Sequence, residues 1–593
     1  MKNSCCLLNS TLFLLLLLPI HIAAARTVPT GQTCEERRDA AIWISPRDPK
    51  PAESFKVMLV TTKAALNELI VTDPDGHLLS VDPIERGGPP WSATAIIDNA
   101  KPGAYRFEVM RDGKIVTCRQ IAVGELNRSG YGLWDEETEA FFSAWIEQLF
   151  DAPVDEELSF PSLDPVLRNA ERNFLHNYLG LNEDNAFVAT PDCADLPYLL
   201  RAYFVWKIGL PMSFHSCNRG NANMPPGCPA LTLKERIPAD SLAGFKVFAR
   251  QLVDGVHSGN GRTALDDDRT DFYPVELRRE FLRPGTLYAD PFGHTLIIVK
   301  WVPQTQEHSG LLLAVDAQPD NSVTRKRFWE GTFLFANDVP SAGPGFKYFR
   351  PLVATESGNL QLLTNLSLAA DEEFVPYSIE QANLNAESFY ARMSKLINPA
   401  GLEPVKAYET MLDALVEQLE TRVTSVDNGE QYLRNNSKAV IPMPDGAAIF
   451  QTAGPWEDYA TPSRDLRLII AINILQSLAD RILRYPDLFK LNSRAPEAAK
   501  AEVEKLHAHR IEERGITYTR SDGGATRLTV ADILARKAAL EMAYNPNDCV
   551  EVRWGAREET PEYASCKRHA PAAQRVKMEK YRDWFRNAKR PSL

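Results

Sequence analysis

Thr190-Pro191-Asp192-Cys193-Ala194-Asp195-Leu196-Pro197-Tyr198-Leu199-Leu200-Arg201-Ala202-Tyr203-Phe204 carries the decisive pattern. Leu196, Leu199, Leu200 and Tyr203 share one helical face, and Gly209 followed by Pro211 ends the helix. Pro197 fits only a first turn, because deeper in a helix it removes a hydrogen bond. The helix therefore begins near residues 192–196, with Cys193 at its amino end. Unpaired N–H groups and the macrodipole there favour a thiolate. The placement suits a cysteine nucleophile. The same residues would also serve as a buried inert thiol, or as half of a disulfide with Cys217 or Cys228.

A thiol nucleophile needs a base and a group that orients it. Downstream, Phe292-Gly293-His294-Thr295-Leu296-Ile297-Ile298-Val299 sets His294 at the head of an apolar strand. After a polar loop, Leu311-Leu312-Leu313-Ala314-Val315-Asp316-Ala317-Gln318-Pro319-Asp320 closes the next strand with Asp316. Paired antiparallel, these strands could bring the Asp316 carboxylate to the His294 ring and fix its tautomer, as a triad requires. Asp320, beyond Pro319, falls in an expected turn.

These residues resemble the transglutaminase-like branch of the papain-like cysteine hydrolases, over roughly residues 170–335. The resemblance rests on Asp192-Cys193-Ala194-Asp195, on Gly293-His294 before a strand, and on Val315-Asp316-Ala317. It implies Cys193 as nucleophile, His294 as base and Asp316 as orienting acid, on an α+β domain. A related cell-wall endopeptidase branch shares the Asp-Cys helix start and the approach Arg283-Pro284-Gly285 before Gly-His. Both branches fit these residues. No cofactor or metal is implied.

Working outward, residues 50–123 alternate apolar and polar in short runs such as Phe55–Val60, Glu68–Val71, Tyr105–Val109 and Lys114–Val116. Turn signals at Asp73-Pro74-Asp75-Gly76, Lys101-Pro102-Gly103 and Asp112-Gly113 separate them, which predicts a small antiparallel β-sandwich, Ig-like, over 26–125. Phe141, Phe142, Trp145, Ile146 and Leu149 recur at helical spacing and predict a core-packed helix over Glu136–Phe150. The catalytic region is expected over 126–377 and a mainly α-helical domain over 378–593. Within the latter, Leu402–Val423, Leu466–Leu483, Glu497–Arg514 and Val530–Tyr544 read as helices, with Thr461 capping one at Pro462.

Lys2, the apolar run Leu12–Ile22 and Ala23-Ala24-Ala25 before Arg26 read as a secretory signal peptide, residues 1–25. No later stretch is apolar enough to span a bilayer; Leu466–Leu483 is interrupted by Arg467, Asp480 and Arg481. Of nine cysteines, Cys5 and Cys6 leave with the signal, so 9 − 2 = 7 remain. An odd number in an oxidising compartment leaves one thiol over. Spacing suggests Cys34–Cys118, Cys217–Cys228 and Cys549–Cys566, with Cys193 free. The destination is periplasmic or extracellular.

The 593 residues include 66 basic and 78 acidic ones, a net charge of −12 without basic clusters, which gives no electrostatic footprint for nucleic acid. Asp266-Asp267-Asp268 lacks the spacing and glycine of a calcium loop. His507 and His509, two apart on a helix, do not share a face. Trp456 and Tyr459, in Gly454-Pro455-Trp456-Glu457-Asp458-Tyr459, are candidates for a substrate groove. The expected function is thiol-dependent hydrolysis or transfer of an amide-bonded acyl group, from a peptide, a protein or a cell-wall stem peptide. The competing expectation is a noncatalytic exported surface or scaffold protein that binds through its sandwich.

Overall fold

Alternation in the first 123 residues builds two four-stranded antiparallel sheets. One is ordered Ala41–Ser45, Phe55–Thr61, Trp91–Ile97, Ile84–Arg86; the other Leu78–Leu79, Glu68–Thr72, Gly103–Arg111, Lys114–Val123. This is a computed structural model, and the residues it describes are Cys34 and 40–591, apart from 66–67, 128–131, 222, 239–240, 319, 337–338, 340–341, 437–438, 451 and 453. The expected signal peptide lies outside them.

Between the two sheets, Phe55, Val57 and Leu59 meet Val71, Phe107, Val109 and Ile121 in one apolar layer. The disulfide Cys34–Cys118 ties the leading arm to the last strand. Phe55–Thr61 departs from simple alternation, because Met58 and Val60 are buried on its opposite face. They join the core of the following region. Trp43, on the neighbouring strand, stacks on Phe141 with ring centroids 4.2 Å apart. The sandwich is thus glued to the rest of the chain through its outer face. Full burial of each such side chain contributes about 1.5–3 kcal/mol.

Phe141 belongs to the helix Glu136–Leu149, which starts at a capping box formed by Asp135 and Thr138 and buries 12 of its 14 residues. Its aromatic residues meet the helix Asp195–Ile208, which buries 13 of 14; Trp145 stacks on Tyr203 at 5.6 Å. Gly209 ends that second helix in the left-handed conformation at φ +81°, the role a helix-terminating glycine serves. Alongside lies a seven-stranded antiparallel sheet in the order Phe272–Pro274, Gly345–Phe349, Leu287–Ala289, Thr295–Val302, Leu311–Ala317, Val323–Arg327, Ser159–Phe160. The central region is mixed α and β.

The chain after it is mainly helical. The helix Ala386–Ile397 still packs into the central core, with Phe389 stacked on Phe335 at 3.9 Å, so the change of core falls after residue 397 and not at 377. Pro404–Asn435, Pro462–Arg484 and Pro496–Glu513 then surround a second core of Leu412, Leu415, Leu419, Leu475 and Leu478. Trp329 of the central region is embedded in that second core, which interlocks the two. Val530–Tyr544 is not one helix: Val530–Ala535 follows a Thr529–Asp532 capping box, and a separate turn runs Lys537–Leu540. Pro462 takes the first helical position as expected, but the Thr461 hydroxyl does not cap. It accepts from the buried Arg553 at 3.1 Å. The remaining disulfides are Cys217–Cys228 and Cys549–Cys566, and Cys193 is the one free cysteine among the described residues. No helix among these residues is long and apolar enough to cross a membrane.

Candidate functional site

Cys193 sits two residues before the regular helix Asp195–Ile208. Asp192 organises this start: its Oδ1 accepts from the backbone N–H groups of Ala194 (2.8 Å) and Asp195 (3.0 Å), and its carbonyl accepts from Leu196 (3.1 Å). The helix-start N–H groups expected to be unpaired and to favour a thiolate are thus partly taken, since Asp192 accepts from two of them. The Cys193 carbonyl accepts a hydrogen bond from the Thr295 hydroxyl, and its Sγ lies 3.9 Å from the Gly293 carbonyl oxygen. These contacts pin the cysteine to the loop that carries His294.

That loop is shaped by Asp290. Its Oδ1 accepts from the backbone N–H of Phe292 (2.7 Å) and of His294 (2.9 Å), and its own N–H donates to the His294 carbonyl (2.9 Å). Gly293 lies at φ +96°, where a side chain is strained, and a Cβ would meet Ser258 Oγ at 3.1 Å. Glycine is needed beside the thiol. The other Asp290 oxygen is ion-paired with Arg467, from the helix Pro462–Arg484. Burial would raise the Asp290 carboxyl; the Arg467 and His294 charges and the two backbone donors outweigh it and hold it below the usual range.

The strands Thr295–Val302 and Leu311–Ala317 pair antiparallel with Ile297 opposite Val315. In that register Leu296 faces Asp316, and His294, two residues earlier, is its diagonal neighbour on the same face. The side chains meet: His294 Nε2 and Asp316 Oδ2 are 2.9 Å apart. Asp316 is 3% exposed. Its Oδ2 also accepts from Gln318 Nε2 at 2.6 Å, and Gln318 Oε1 accepts from Arg464 at 2.8 Å. Burial would raise the Asp316 carboxyl, but Lys326, the His294 hydrogen bond and Arg464 hold it below the usual range. An ionised Asp316 fixes the imidazole with N–H at Nε2 and leaves the Nδ1 lone pair free as a base.

Cys193, His294 and Asp316 line one cavity of about 290 Å³. The thiol is pushed well above its ordinary pKa, first by burial and then by the charge of Asp192, with a backbone hydrogen bond from Thr295 opposing. This direction opposes the thiolate expected from helix position alone. Asp320, by contrast, is exposed and accepts from the Ser322 backbone N–H (3.1 Å) and hydroxyl (2.6 Å).

The far wall comes from the C-terminal region. Trp456 lines the cavity, though it is 3% exposed and donates its indole N–H to the Ile449 carbonyl at 3.0 Å. Tyr459 does not line it; its ring stacks on Tyr432 at 4.4 Å. Arg590, near the end of the chain, donates to the carbonyls of Phe292 and, at 3.4 Å, Phe450. Reasoning from sequence did not single out Asp290, Gln318, Arg464, Arg467 or Arg590. Asp290 carried a local signal, an Asp-Pro-Phe-Gly turn directly before His294. The arginines carried none, because their relevance arises only where distant segments meet. No protein-family model matches this chain, and neither does any curated protein.

Proposed function

We propose that the protein is an exported thiol enzyme that hydrolyses or transfers an amide-bonded acyl group, with a transglutaminase-like catalytic region in the papain-like superfamily. Its substrate is a peptide, a protein or a cell-wall stem peptide. The observation that carries this reading is the 2.9 Å contact between His294 Nε2 and Asp316 Oδ2, in the same cavity as the free Cys193. Export is supported by three disulfides.

In this reading His294 Nδ1 takes the Cys193 proton as sulfur attacks the carbonyl carbon. The C–S bond forms, and the tetrahedral oxyanion collapses with loss of the C–N bond. His294, now protonated, delivers that proton to the departing amine. Water, deprotonated by His294, then attacks the thioester, releasing the acid and returning the thiol; an amine in place of water gives transfer. Asp316 stabilises the imidazolium without itself taking a proton. The raised thiol fits a nucleophile that is deprotonated during attack.

A panel of defined peptides, including cell-wall stem peptides, tests this with hydroxylamine present to trap the thioester. The expected result is hydroxamate formation by the wild type and none by Cys193→Ala. A noncatalytic scaffold draws support from the burial that pushes the thiol up. It predicts that His294→Ala leaves the alkylation rate of Cys193 by iodoacetamide unchanged, whereas the enzyme reading predicts a clear fall.

A further inference from the structure

The cavity beside Cys193 is cationic beyond what its own folding requires. Six arginine or lysine side chains line it, against three carboxylates. Three of the six are accounted for, since Arg467 pairs with Asp290, Arg422 with Asp465, and Arg464 donates to Gln318 Oε1 at 2.8 Å. Among the carboxylates, Asp192 accepts helix-start N–H groups and Asp316 accepts from His294. The third, Glu457, accepts the Thr452 N–H and is shifted toward neutrality by burial.

Arg219, Lys326 and Arg590 remain. They come from separate elements: the connection between the strands Met212–Ser216 and Ala230–Lys234, the strand Val323–Arg327, and the C-terminal tail. None has a carboxylate within 4.0 Å among the described residues. Arg590 is the telling one. It is 7% exposed and its hydrogen bonds go to neutral carbonyls; burial, with the Arg262 and Arg467 charges, lowers its pKa to about 9 against the opposing carboxylates of Asp290 and Glu457, neither of which pairs with it directly. A buried charge with no carboxylate paired to it is costly to keep. A cavity wall that keeps such a charge is built for an anion arriving from outside. Phe292, Phe450 and Trp456 complete it with apolar surface.

We propose that this cavity binds a carboxylate carried by the acyl substrate close to the scissile amide, and that Arg219, Lys326 and Arg590 read that carboxylate. The substrate class is then an acidic peptide, through either a side-chain or a terminal carboxylate. Its position next to a scissile bond rests on Cys193 as nucleophile; the anion site itself does not.

Cys193 provides the reporter. The full chain without its signal peptide is alkylated with iodoacetate, which is anionic, and with iodoacetamide, which is neutral, and each rate is divided by that of free cysteine. The carboxylate site predicts an iodoacetate-to-iodoacetamide ratio at least about fivefold above that of free cysteine, falling toward it in Arg219→Gln, Lys326→Gln and Arg590→Gln. Using the ratio cancels any general change in thiol reactivity. In the wild type, glutarate is expected to protect Cys193 from iodoacetamide and glutaramide is not, which needs no variant to fold. A ratio equal to that of free cysteine, or protection by sulfate as strong as by glutarate at equal ionic strength, overturns the proposal. Failure of the catalytic reading shows separately, as an iodoacetamide rate indifferent to His294→Ala.

Discussion

Arg467 and Asp290, 177 residues apart, form an ion pair that fastens the C-terminal helix Pro462–Arg484 to the loop presenting His294. Asp290 has no exposed surface and also accepts the backbone N–H of His294 at 2.9 Å. The C-terminal region is therefore part of the site's framework. Arg467→Leu should leave a buried carboxylate unpaired and cost about 3–5 kcal/mol of stability. Asp290→Asn combined with Arg467→Leu should cost less than the sum of the single changes, because each removes the other's reason to be charged. Denaturant unfolding of the four proteins in the cycle measures this; strict additivity would mean the pair is not coupled.

Asp316→Asn should retain the fold and reduce hydroxamate formation by roughly 10³–10⁴-fold, the scale of tautomer loss in a serine triad. Asp320→Asn, whose exposed carboxylate accepts from Ser322 and, at 3.4 Å, from Asn428 and does not touch His294, should stay within about twofold, as surface changes usually do. Loss at Asp320 with retention at Asp316 would reverse the assignment.

Asp195 makes a pH prediction. Burial, then the negative charges of Asp192 and Asp254, push its carboxyl up to about 7. In the unfolded chain it titrates near the ordinary value of about 4. Between those values the folded state holds more protons, so stability falls as pH rises through this window. Asp195→Asn removes that dependence. The variant should be more stable than the wild type at pH above about 7, by about 1 kcal/mol or more, and should lose the advantage below pH of about 4. Thermal unfolding of both proteins across this range checks the sign.

Alkylation without reduction, followed by peptide mass mapping, should label Cys193 alone. With three disulfides holding the other six cysteines among the described residues, label at Cys217 or Cys549 would contradict the pairing. Labelling should be slow at neutral pH and accelerate above it, because the surroundings of the half-buried thiol push its pKa up.

Limited proteolysis should leave residues from about 126 to the C-terminus as one fragment. Trp329 lies in the C-terminal core and Arg590 reaches the carbonyl of Phe292. Separation of two independently folded pieces near residue 400 would count against this interlocking.

Local rules made much of this architecture legible from residue order alone. Period-two alternation marked the sandwich strands, because one face of each must be buried; period 3.6 marked helices over Glu136–Phe150, Leu402–Val423 and Leu466–Leu483 for the same reason, although the second runs on to Asn435. Proline at 197 and glycine at 209 bounded the helix behind Cys193, since backbone sterics act over a few residues whatever the rest of the chain does. Alternation failed at Phe55–Thr61, where Met58 and Val60 are buried by a helix outside the sandwich, and a strand's own sequence cannot announce what will cover its second face. The ionisation of Cys193 likewise depended on assembly: helix position favours the thiolate, but burial and the carboxylates of Asp192, Asp316 and Asp290 prevail. Asp316 could be nominated from its strand, whereas Gln318 and Arg464 behind it, and Arg467 behind Asp290, required the C-terminal helix to dock. Electrostatic and hydrogen-bonding partners act through a few ångströms of space, and which residues occupy that space is set by the packing of segments more than a hundred positions apart.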